Sequence, residues 1–225
     1  PVRKSSNPLR RIREAMLPAR TRPRLIPVLD VMGGQVVRAI GGRRSEYRPV
    51  VSKLTTSTES IDVATALIEA TGARELYVAD LDAIQMRGDN LSAVWRIVER
   101  LGVEVWTDFG YRTYDDAQKV PNERVPGINP IIGSETVSGP GDLAAAAIHF
   151  MPFVAFSIDL KGGEMLGDWR KWQEKGVTGP QDVAALAAAA QVPVLFLIDL
   201  ARVGEGSGPG TEQICRAVRG RCPHE

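Results

Sequence analysis

The chain repeats part of itself. Residues 28–37 read Val-Leu-Asp-Val-Met-Gly-Gly-Gln-Val-Val, and residues 157–166 read Ser-Ile-Asp-Leu-Lys-Gly-Gly-Glu-Met-Leu. A second pair of segments follows, because residues 76–83 match residues 195–202. A repeat of this length indicates two copies of a unit that holds several secondary-structure elements, rather than a solenoid of short repeats. We therefore expect the two halves of the chain to fold alike.

Apolar runs alternate with helical patterns along the chain. The predicted strands cover residues 25–29, 76–79, 103–107, 128–132, 153–158 and 194–198. Such alternation favours a parallel sheet that is covered by helices. No Gly-x-Gly-x-x-Gly sequence follows the first strand, which argues against a dinucleotide-binding fold.

The repeat also predicts the size of the intact fold. Strands one and two match strands five and six, so one repeat unit contains four βα units and two contain eight. Eight parallel units close a (β/α)8 barrel, and this chain supplies about six of them. We expect an α/β fold of the TIM-barrel type built from two half-barrels, with residues 25–225 as a partial barrel. A fragment is favoured over a seam closed by a partner chain, because open edges would expose unpaired backbone.

The N-terminal arm, residues 1–24, carries eight basic side chains and one acidic side chain, Glu14. A solvated tail, or an arm that packs on the acidic remainder, is the expectation for such a terminus, so nucleic acid is not an expected partner. The longest apolar stretch, residues 143–160, is interrupted by polar residues and predicts no membrane span. Cys215 and Cys222 lack enough neighbouring ligands for zinc, so we expect free thiols in the cytoplasm and no metal.

Carboxylates end the predicted strands. The five residues are Asp30, Asp80, Asp108, Asp159 and Asp199. In a parallel barrel these ends share one mouth, where chemistry takes place. Asp30 and Asp159 come from strands one and five, which face each other, and such a pair suits general acid and base work. Which of the two is the acid is left open, and for Asp80 and Asp199 a loop-ordering role is as well supported as a substrate contact.

Two further features suit an anionic ligand. Gly133-Ser134 ends the fourth strand and offers backbone N–H groups and a hydroxyl to phosphate. Arg38, Arg43 and Arg44 follow strand one and could hold a second anionic group, although a solvated loop fits them equally well. The glycine-rich loop 202–210 after strand six is either a flexible connector or a lid over the mouth.

Four segments together resemble one enzyme family. They are residues 25–38, 77–83, 132–134 and 157–159, which contain Leu-Asp-Val-Met-Gly-Gly, Ala-Asp-Leu-Asp-Ala, Ile-Gly-Ser and Ser-Ile-Asp. The chain resembles the histidine-biosynthetic sugar-phosphate isomerases and cyclases, as a divergent member on the side of the phosphoribosylformimino-aminoimidazole carboxamide ribotide isomerases. The resemblance implies a (β/α)8 fold made of duplicated half-barrels. It also implies an Amadori rearrangement of an aminoaldose to an aminoketose, catalysed by an intramolecular oxidoreductase without a cofactor.

The resemblance assigns roles to individual residues. Asp30 falls on the general base, which would remove the proton at sugar C2, and Asp159 falls on the general acid, which would assist ring opening. Gly133 and Ser134 fall on one of the family's two phosphate sites, and Gly110 belongs to the neighbouring loop that we also predict to bind phosphate. The expected substrate is a phosphorylated small molecule.

Two loops depart from the family pattern. Residues 108–112 read Asp-Phe-Gly-Tyr-Arg where the family usually has Gly-Gly-Gly-Ile-Arg, so Asp108 would repel an anion unless Arg112 compensates. After strand six, the segment from Asp199 to Val203 lacks the hydroxyl and the second acid of the family pattern.

These departures keep other functions open. We predict substrate contacts at Arg38, Asp80, Asp108 and Asp199. One alternative is a lyase or condensing enzyme that uses Asp108 or Asp199, for example in methanopterin-linked one-carbon metabolism, and another is a non-catalytic binding subunit. A homo-oligomer is also left open.

Overall fold

The computed structural model describes residues 24–118 and 126–221, and these residues form one sheet flanked by helices. The strands are β1 Val28–Met32, β2 Gln35–Arg38, β3 Arg48–Pro49, β4 Glu75–Asp80, β5 Glu104–Asp108, β6 Ile128–Gly133, β7 Ala155–Lys161, β8 Glu164–Met165 and β9 Val194–Asp199. The helices are α1 Ser60–Thr71, α2 Leu81–Ile84, α3 Leu91–Leu101, α4 Tyr114–Gln118, α5 Pro140–Phe150, α6 Arg170–Gln173, α7 Pro180–Ala189 and α8 Glu212–Arg221. A 3-10 turn covers Arg44–Glu46.

Six strands run parallel in the order β1-β4-β5-β6-β7-β9. They are the six predicted strands, so the α/β fold with a mostly parallel sheet is confirmed. Within the described residues the sheet stays open, with β3 at one edge and with β8 and β9 beside β7 at the other. Closure into an eight-stranded barrel therefore remains a prediction.

The repeat is visible as two matching hairpins. β1 turns back into β2 through Gly33-Gly34, and β7 turns back into β8 through Gly162-Gly163. All four glycines have positive φ, from 60° to 86°, which favours glycine over residues with a Cβ atom. Each parallel strand that opens a half of the chain thus carries its own antiparallel extension.

The apolar core has an outer and an inner part. Outside the sheet, helix residues such as Ile97 and Leu143 pack on strand residues and are almost fully buried. Inside, the ring of Phe196 on β9 meets the ring of Tyr77 on β4 at 5.2 Å and that of Trp106 on β5 at 5.9 Å. Strands that are not neighbours in the sheet meet through these rings, so the sheet curls around its inner face.

Two loops meet at the carboxyl ends of the strands. The Gly41 N–H donates to the Val203 carbonyl at 2.9 Å, and Arg43 pairs with Glu205 at 3.2 Å. A Cβ atom on Gly204 would lie 2.1 Å from the Ala39 carbonyl oxygen, so only glycine allows this approach. The loop after β2 and the loop after β9 are therefore in direct contact.

Three expectations concern the rest of the chain. The basic arm lies outside the described residues, apart from Arg24, which pairs with Glu75 at 2.8 Å. Cys215 is an exposed free thiol, and Cys222 lies outside the described residues. Along the described part of the chain, every helix is too short or too polar to cross a membrane.

Candidate active site

Three aspartates converge where the parallel strands end. Asp30 lies on β1, Asp108 ends β5 and Asp159 lies on β7. A Cβ atom on Gly133, at the end of β6, would be 2.7 Å from Asp108 Oδ2 and 3.2 Å from Asp159 Oδ2. The absence of a side chain at Gly133 thus leaves room for two carboxylates, and we call this region the mouth.

Asp159 is held by hydroxyl and backbone donors. The Ser157 hydroxyl donates to Oδ1 at 2.6 Å, and the Glu135 N–H donates to Oδ2 at 3.2 Å. The Ser134 hydroxyl accepts from the Asp159 N–H at 2.8 Å and lies 3.4 Å from Oδ2. Burial raises the pKa of Asp159 to about 6, although the hydrogen bond from Ser157 opposes the rise.

Asp108 is the most strongly perturbed of the three. Its side chain is part of a residue only 5% exposed, and Oδ1 accepts from the Gly110 N–H at 2.8 Å. Burial, and then the charge of Asp159, raise the pKa of Asp108 to about 7. At neutral pH a substantial share of the molecules therefore carries a proton on this carboxyl group.

Asp30 is the partly buried member of the group. Burial raises its pKa to about 6, and the positive charge of Arg44 acts in the opposite direction. Asp30 in turn raises the pKa of Tyr47, whose main perturbation is its own burial. The pKa of Tyr77 is raised well above its usual value by burial and then by Asp108, Asp159 and Asp30, so all three carboxylates act on one neutral phenol.

One arginine supplies the positive charge in the mouth. Arg44 lies in the 3-10 turn after β2 and pairs with Glu135 at 2.6 Å, and about a quarter of each side chain is exposed. Its charge lowers the pKa of both Asp30 and Asp108. Arg112, the residue expected to compensate Asp108, instead donates to the Gly110 carbonyl at 2.7 Å and to the Ile84 carbonyl at 2.6 Å.

Asp80 supports the first hairpin. Its carboxylate accepts from the Asn90 N–H at 2.6 Å and from the Asn90 side-chain amide at 2.7 Å. The Asn90 amide oxygen accepts from the Gly34 N–H at 3.0 Å, and Asp82 accepts from the Gly33 N–H at 2.6 Å. These contacts match the loop-ordering role that the sequence left open for Asp80. Gly33, Gly34, Asp82 and Asn90 also line a groove of about 420 Å³ at this turn, and these hydrogen bonds already engage their polar groups.

Asp199 supports the second hairpin more directly. Its carboxylate accepts from the Gly162 N–H at 2.8 Å, from the Gly163 N–H at 3.1 Å and from the Ala201 N–H at 3.0 Å. Arg38 is exposed and donates to the Gly204 carbonyl at 3.3 Å, so it joins the two loops rather than the aspartate group. A substrate contact at either residue stays a prediction.

Gly110 orders the loop that carries Asp108. Its φ is +67°, and a Cβ atom would lie 2.8 Å from the Ile84 Cα atom and 2.9 Å from the Ala83 carbonyl oxygen. Glycine is thus needed both for backbone conformation and for space. The N–H of Gly110 points at the Asp108 carboxylate and not at open solvent.

Sequence reasoning brought Asp30, Asp108, Asp159, Gly133 and Ser134 to one place, and the structure places them together. It missed Glu135, Tyr47 and Tyr77. Glu135 directly follows the Gly-Ser pair, which was a usable signal. Tyr77 lies in an apolar strand and Tyr47 follows the charged segment Arg-Arg-Ser-Glu, and neither position indicated that the ring would reach the mouth. In the part of the chain that the structure describes, no group of three or more His, Cys, Asp or Glu residues is arranged to hold a metal ion.

The chain is similar to known proteins over most of its length. The model of the histidine biosynthesis protein family matches residues 24–224. A 1-(5-phosphoribosyl)-5-((5-phosphoribosylamino)methylideneamino) imidazole-4-carboxamide isomerase from Natronomonas pharaonis is 30% identical over 195 residues, which cover 86% of this chain and 77% of the relative. Enzymes of the same name from Acidithiobacillus ferrooxidans and Symbiobacterium thermophilum are 28% and 33% identical, and the matches cover 82% and 84% of this chain and 73% and 74% of those relatives.

Proposed function

Because the chain belongs to the histidine biosynthesis protein family, we propose that it is an Amadori-type isomerase of a phosphoribosyl-amine compound, the substrate in the names of its relatives. The observation that carries the proposal is the pair of carboxyl groups, Asp30 on β1 and Asp159 on β7, near the same ends of one parallel sheet and both close enough to Tyr77 to raise its pKa. The relatives favour this function over a lyase, a condensing enzyme or a binding subunit.

The reaction needs one acid and one base. Protonated Asp159 would give its proton to the ring oxygen, so that the C1–O bond breaks and an open-chain iminium forms. Ionised Asp30 would then remove the proton at C2, and the electron pair moves towards C1. The resulting enaminol tautomerises to the aminoketose, so C2 is oxidised as C1 is reduced. No external oxidant or reductant is required, which is consistent with the expectation of no cofactor.

The surroundings of the two aspartates suit these roles. Arg44 favours the ionised form of Asp30, as a base requires. Asp159 accepts hydrogen bonds from the neutral Ser157 hydroxyl and from the Glu135 N–H, and its burial favours the protonated form that an acid requires. Both pKa values are raised to about 6, so proton exchange near neutral pH is accessible to each group.

Other parts of the proposal complete the site. Gly110, Gly133 and Ser134 are proposed to hold one phosphate group, and Arg38, Asp80, Asp108 and Asp199 remain proposed contacts of the substrate. The intact fold is proposed to be an eight-stranded barrel, to which the six parallel strands belong. The cytoplasm remains the proposed compartment, and self-association stays open.

The direct test is turnover of the compound named in the relatives. Asp30→Asn and Asp159→Asn should each lower kcat by about 10²–10⁴, because each removes one proton-transfer group. The exposed carboxylate Asp115 on α4 offers a matched control, and Asp115→Asn should leave kcat unchanged. Wild-type turnover in both Asp30→Asn and Asp159→Asn would contradict the proposal. Rescue of a histidine auxotroph that lacks the isomerase tests the same activity in cells.

A further inference from the structure

The backbone donors at the ends of β5 and β6 already have acceptors. The Gly110 N–H donates to Asp108 Oδ1 at 2.8 Å, and the Glu135 N–H donates to Asp159 Oδ2 at 3.2 Å. The Ser134 N–H donates to the Ser157 carbonyl at 2.8 Å. A phosphate at this turn would need such N–H groups, and here carboxylate oxygens occupy two of the three.

The carboxylates also occupy the space beside the turn. Asp108 Oδ2 lies 2.7 Å from the Cβ position of Gly133, on the side of the turn where Asp159 Oδ2 lies at 3.2 Å. An anion placed at Gly133-Ser134 would therefore meet two carboxylates at close range. Like charges this close together, near the surface of a protein, repel by more than one hydrogen bond contributes.

Other charged groups face Asp108 as well. Asp159 on β7 and Glu135 after β6 disfavour its ionisation, whereas Arg44 after β2 favours it. The phenols of Tyr77 and Tyr111 also lie close enough for Asp108 to raise the pKa of each. Arg44 already pairs with Glu135, so its charge is shared between partners.

We propose that Asp108 is a specificity-determining residue: when ionised it fills the anion-binding turn at Gly110, Gly133 and Ser134, and an anionic group binds there only when Asp108 takes up a proton. A protonated carboxyl group keeps its acceptor for Gly110 and gains an O–H that donates to the incoming anion. The inference rests on the proposed function in one respect, namely that the mouth receives a phosphorylated substrate.

The test measures anion binding without turnover. Inorganic sulfate is the probe, because it remains a dianion between pH 5 and pH 9 and cannot supply the proton itself. Calorimetric titration in two buffers of different ionisation enthalpy counts the protons taken up for each sulfate bound. In the wild type we expect uptake approaching one proton above pH 7 and an affinity that falls up to tenfold for each further pH unit.

Asp108→Asn and Asp108→Gly remove the carboxylate by different routes. Asn keeps the shape and the acceptor for Gly110, whereas Gly clears the space. Both should bind sulfate about tenfold more tightly than the wild type at pH 8, and the proton uptake should fall by about one. Asp115→Asn changes the net charge equally but lies away from the mouth, and it should behave as the wild type does.

Two results would overturn the inference. One is that Asp108→Asn, with its fold checked by circular dichroism, shows the same sulfate affinity and proton uptake as the wild type. The other is the absence of sulfate binding in the wild type and in every variant. Failure of the isomerase assay would leave this titration unaffected, so the proposed activity and the role of Asp108 can fail separately.

Discussion

At the scale of single residues, the mouth brings together carboxyl groups whose negative charges repel each other. Symmetry between the repeats was enough to single out Asp30 and Asp159 from the sequence. The closeness of Asp108 to Asp159 was not predictable, because it depends on the missing side chain of Gly133 on the strand between them. Nor could the sequence show that Arg44, and not Arg112, would carry the compensating charge, since loop paths decide which arginine reaches the mouth.

The pH dependence of turnover follows from the two proposed proton-transfer groups. Asp30 must be ionised, so kcat/KM should rise with pH through about 6, and Asp159 must be protonated, so kcat/KM should fall again above about 6. A bell-shaped profile centred near pH 6 is expected from initial rates. A rate that is flat from pH 5 to pH 8 would contradict these assignments, and Asp115→Asn should reproduce the wild-type curve.

The stability of the fold should respond to Asp108 in a defined direction. The pKa of Asp108 is raised to about 7 in the folded state from 3.8, so between these values the native chain binds more protons and stability falls as the pH rises. Asp108→Asn should raise the free energy of unfolding at pH 8 by on the order of 2 kcal/mol. Below pH 4 the two chains should converge. Urea denaturation at both pH values measures the difference, and equal stability at pH 8 would show that the ionised group is well solvated.

At the scale of elements, the two hairpins share one backbone geometry but are held by different side chains. Asp82 and Asn90 hold the Gly33-Gly34 turn, whereas Asp199 alone holds the Gly162-Gly163 turn. Asn90 is a residue type that often caps helices, and α3 begins at the next residue, but no capping bond from its side chain is present. The amide serves the hairpin instead, and local pattern could not reveal a partner 56 residues away.

Element limits were otherwise predictable to within a few residues. α1 ends before Gly72 and α3 ends before Gly102, and both glycines have positive φ, as is common where helices end. The strand β8 and the helix α6 were not predicted, because they contain two and four residues. Such short elements show no periodicity, and only their tertiary contacts stabilise them.

Removal of the Asp199 carboxylate should weaken the second hairpin. Asp199→Ala leaves the N–H groups of Gly162, Gly163 and Ala201 without their acceptor, so we expect a loss of about 1–3 kcal/mol in the free energy of unfolding. Amide exchange at the two glycines should quicken, and denaturation should show the loss, with Asp115→Ala as the control. A raised KM at unchanged stability would instead support the predicted contact with substrate.

At the scale of the whole molecule, the curvature of the sheet is accompanied by aromatic contacts on its inner face and by a loop contact over its strand ends. The rings of Tyr77, Trp106 and Phe196 fill the inner face, and the loops after β2 and β9 meet over the strand ends. The alternation of strands and helices predicted the parallel sheet. The contact between these two loops was not predictable, because it joins segments more than 160 residues apart through the backbone atoms of Gly41 and Val203.

The loop contact can be tested with two glycines from one segment. Gly204 and Gly206 have φ values of +74° and +69°, but only Gly204 faces a backbone atom, the Ala39 carbonyl oxygen. Gly206→Ala should cost about 1 kcal/mol from backbone strain, whereas Gly204→Ala should cost roughly 2 kcal/mol more, because the loops must separate. Thermal denaturation compares the two. Equal losses would mean that the loops do not need to touch.

The acidic mouth has a consequence for how fast a phosphorylated molecule arrives. Asp30, Asp108 and Glu135 all interact with Arg44, and Asp159 lies beside Asp108, so acidic groups outnumber the arginine that they share and we expect an anion to be repelled at neutral pH. Repulsion of this kind reaches about 10 Å at 0.1 M salt and shrinks as ions are added. The encounter rate with an anionic substrate should therefore increase with ionic strength. At a positively charged site, which attracts anions, the association rate would instead fall as salt is added. If Asp108 controls the proposed anion site, it should therefore affect the rate of binding as well as its selectivity.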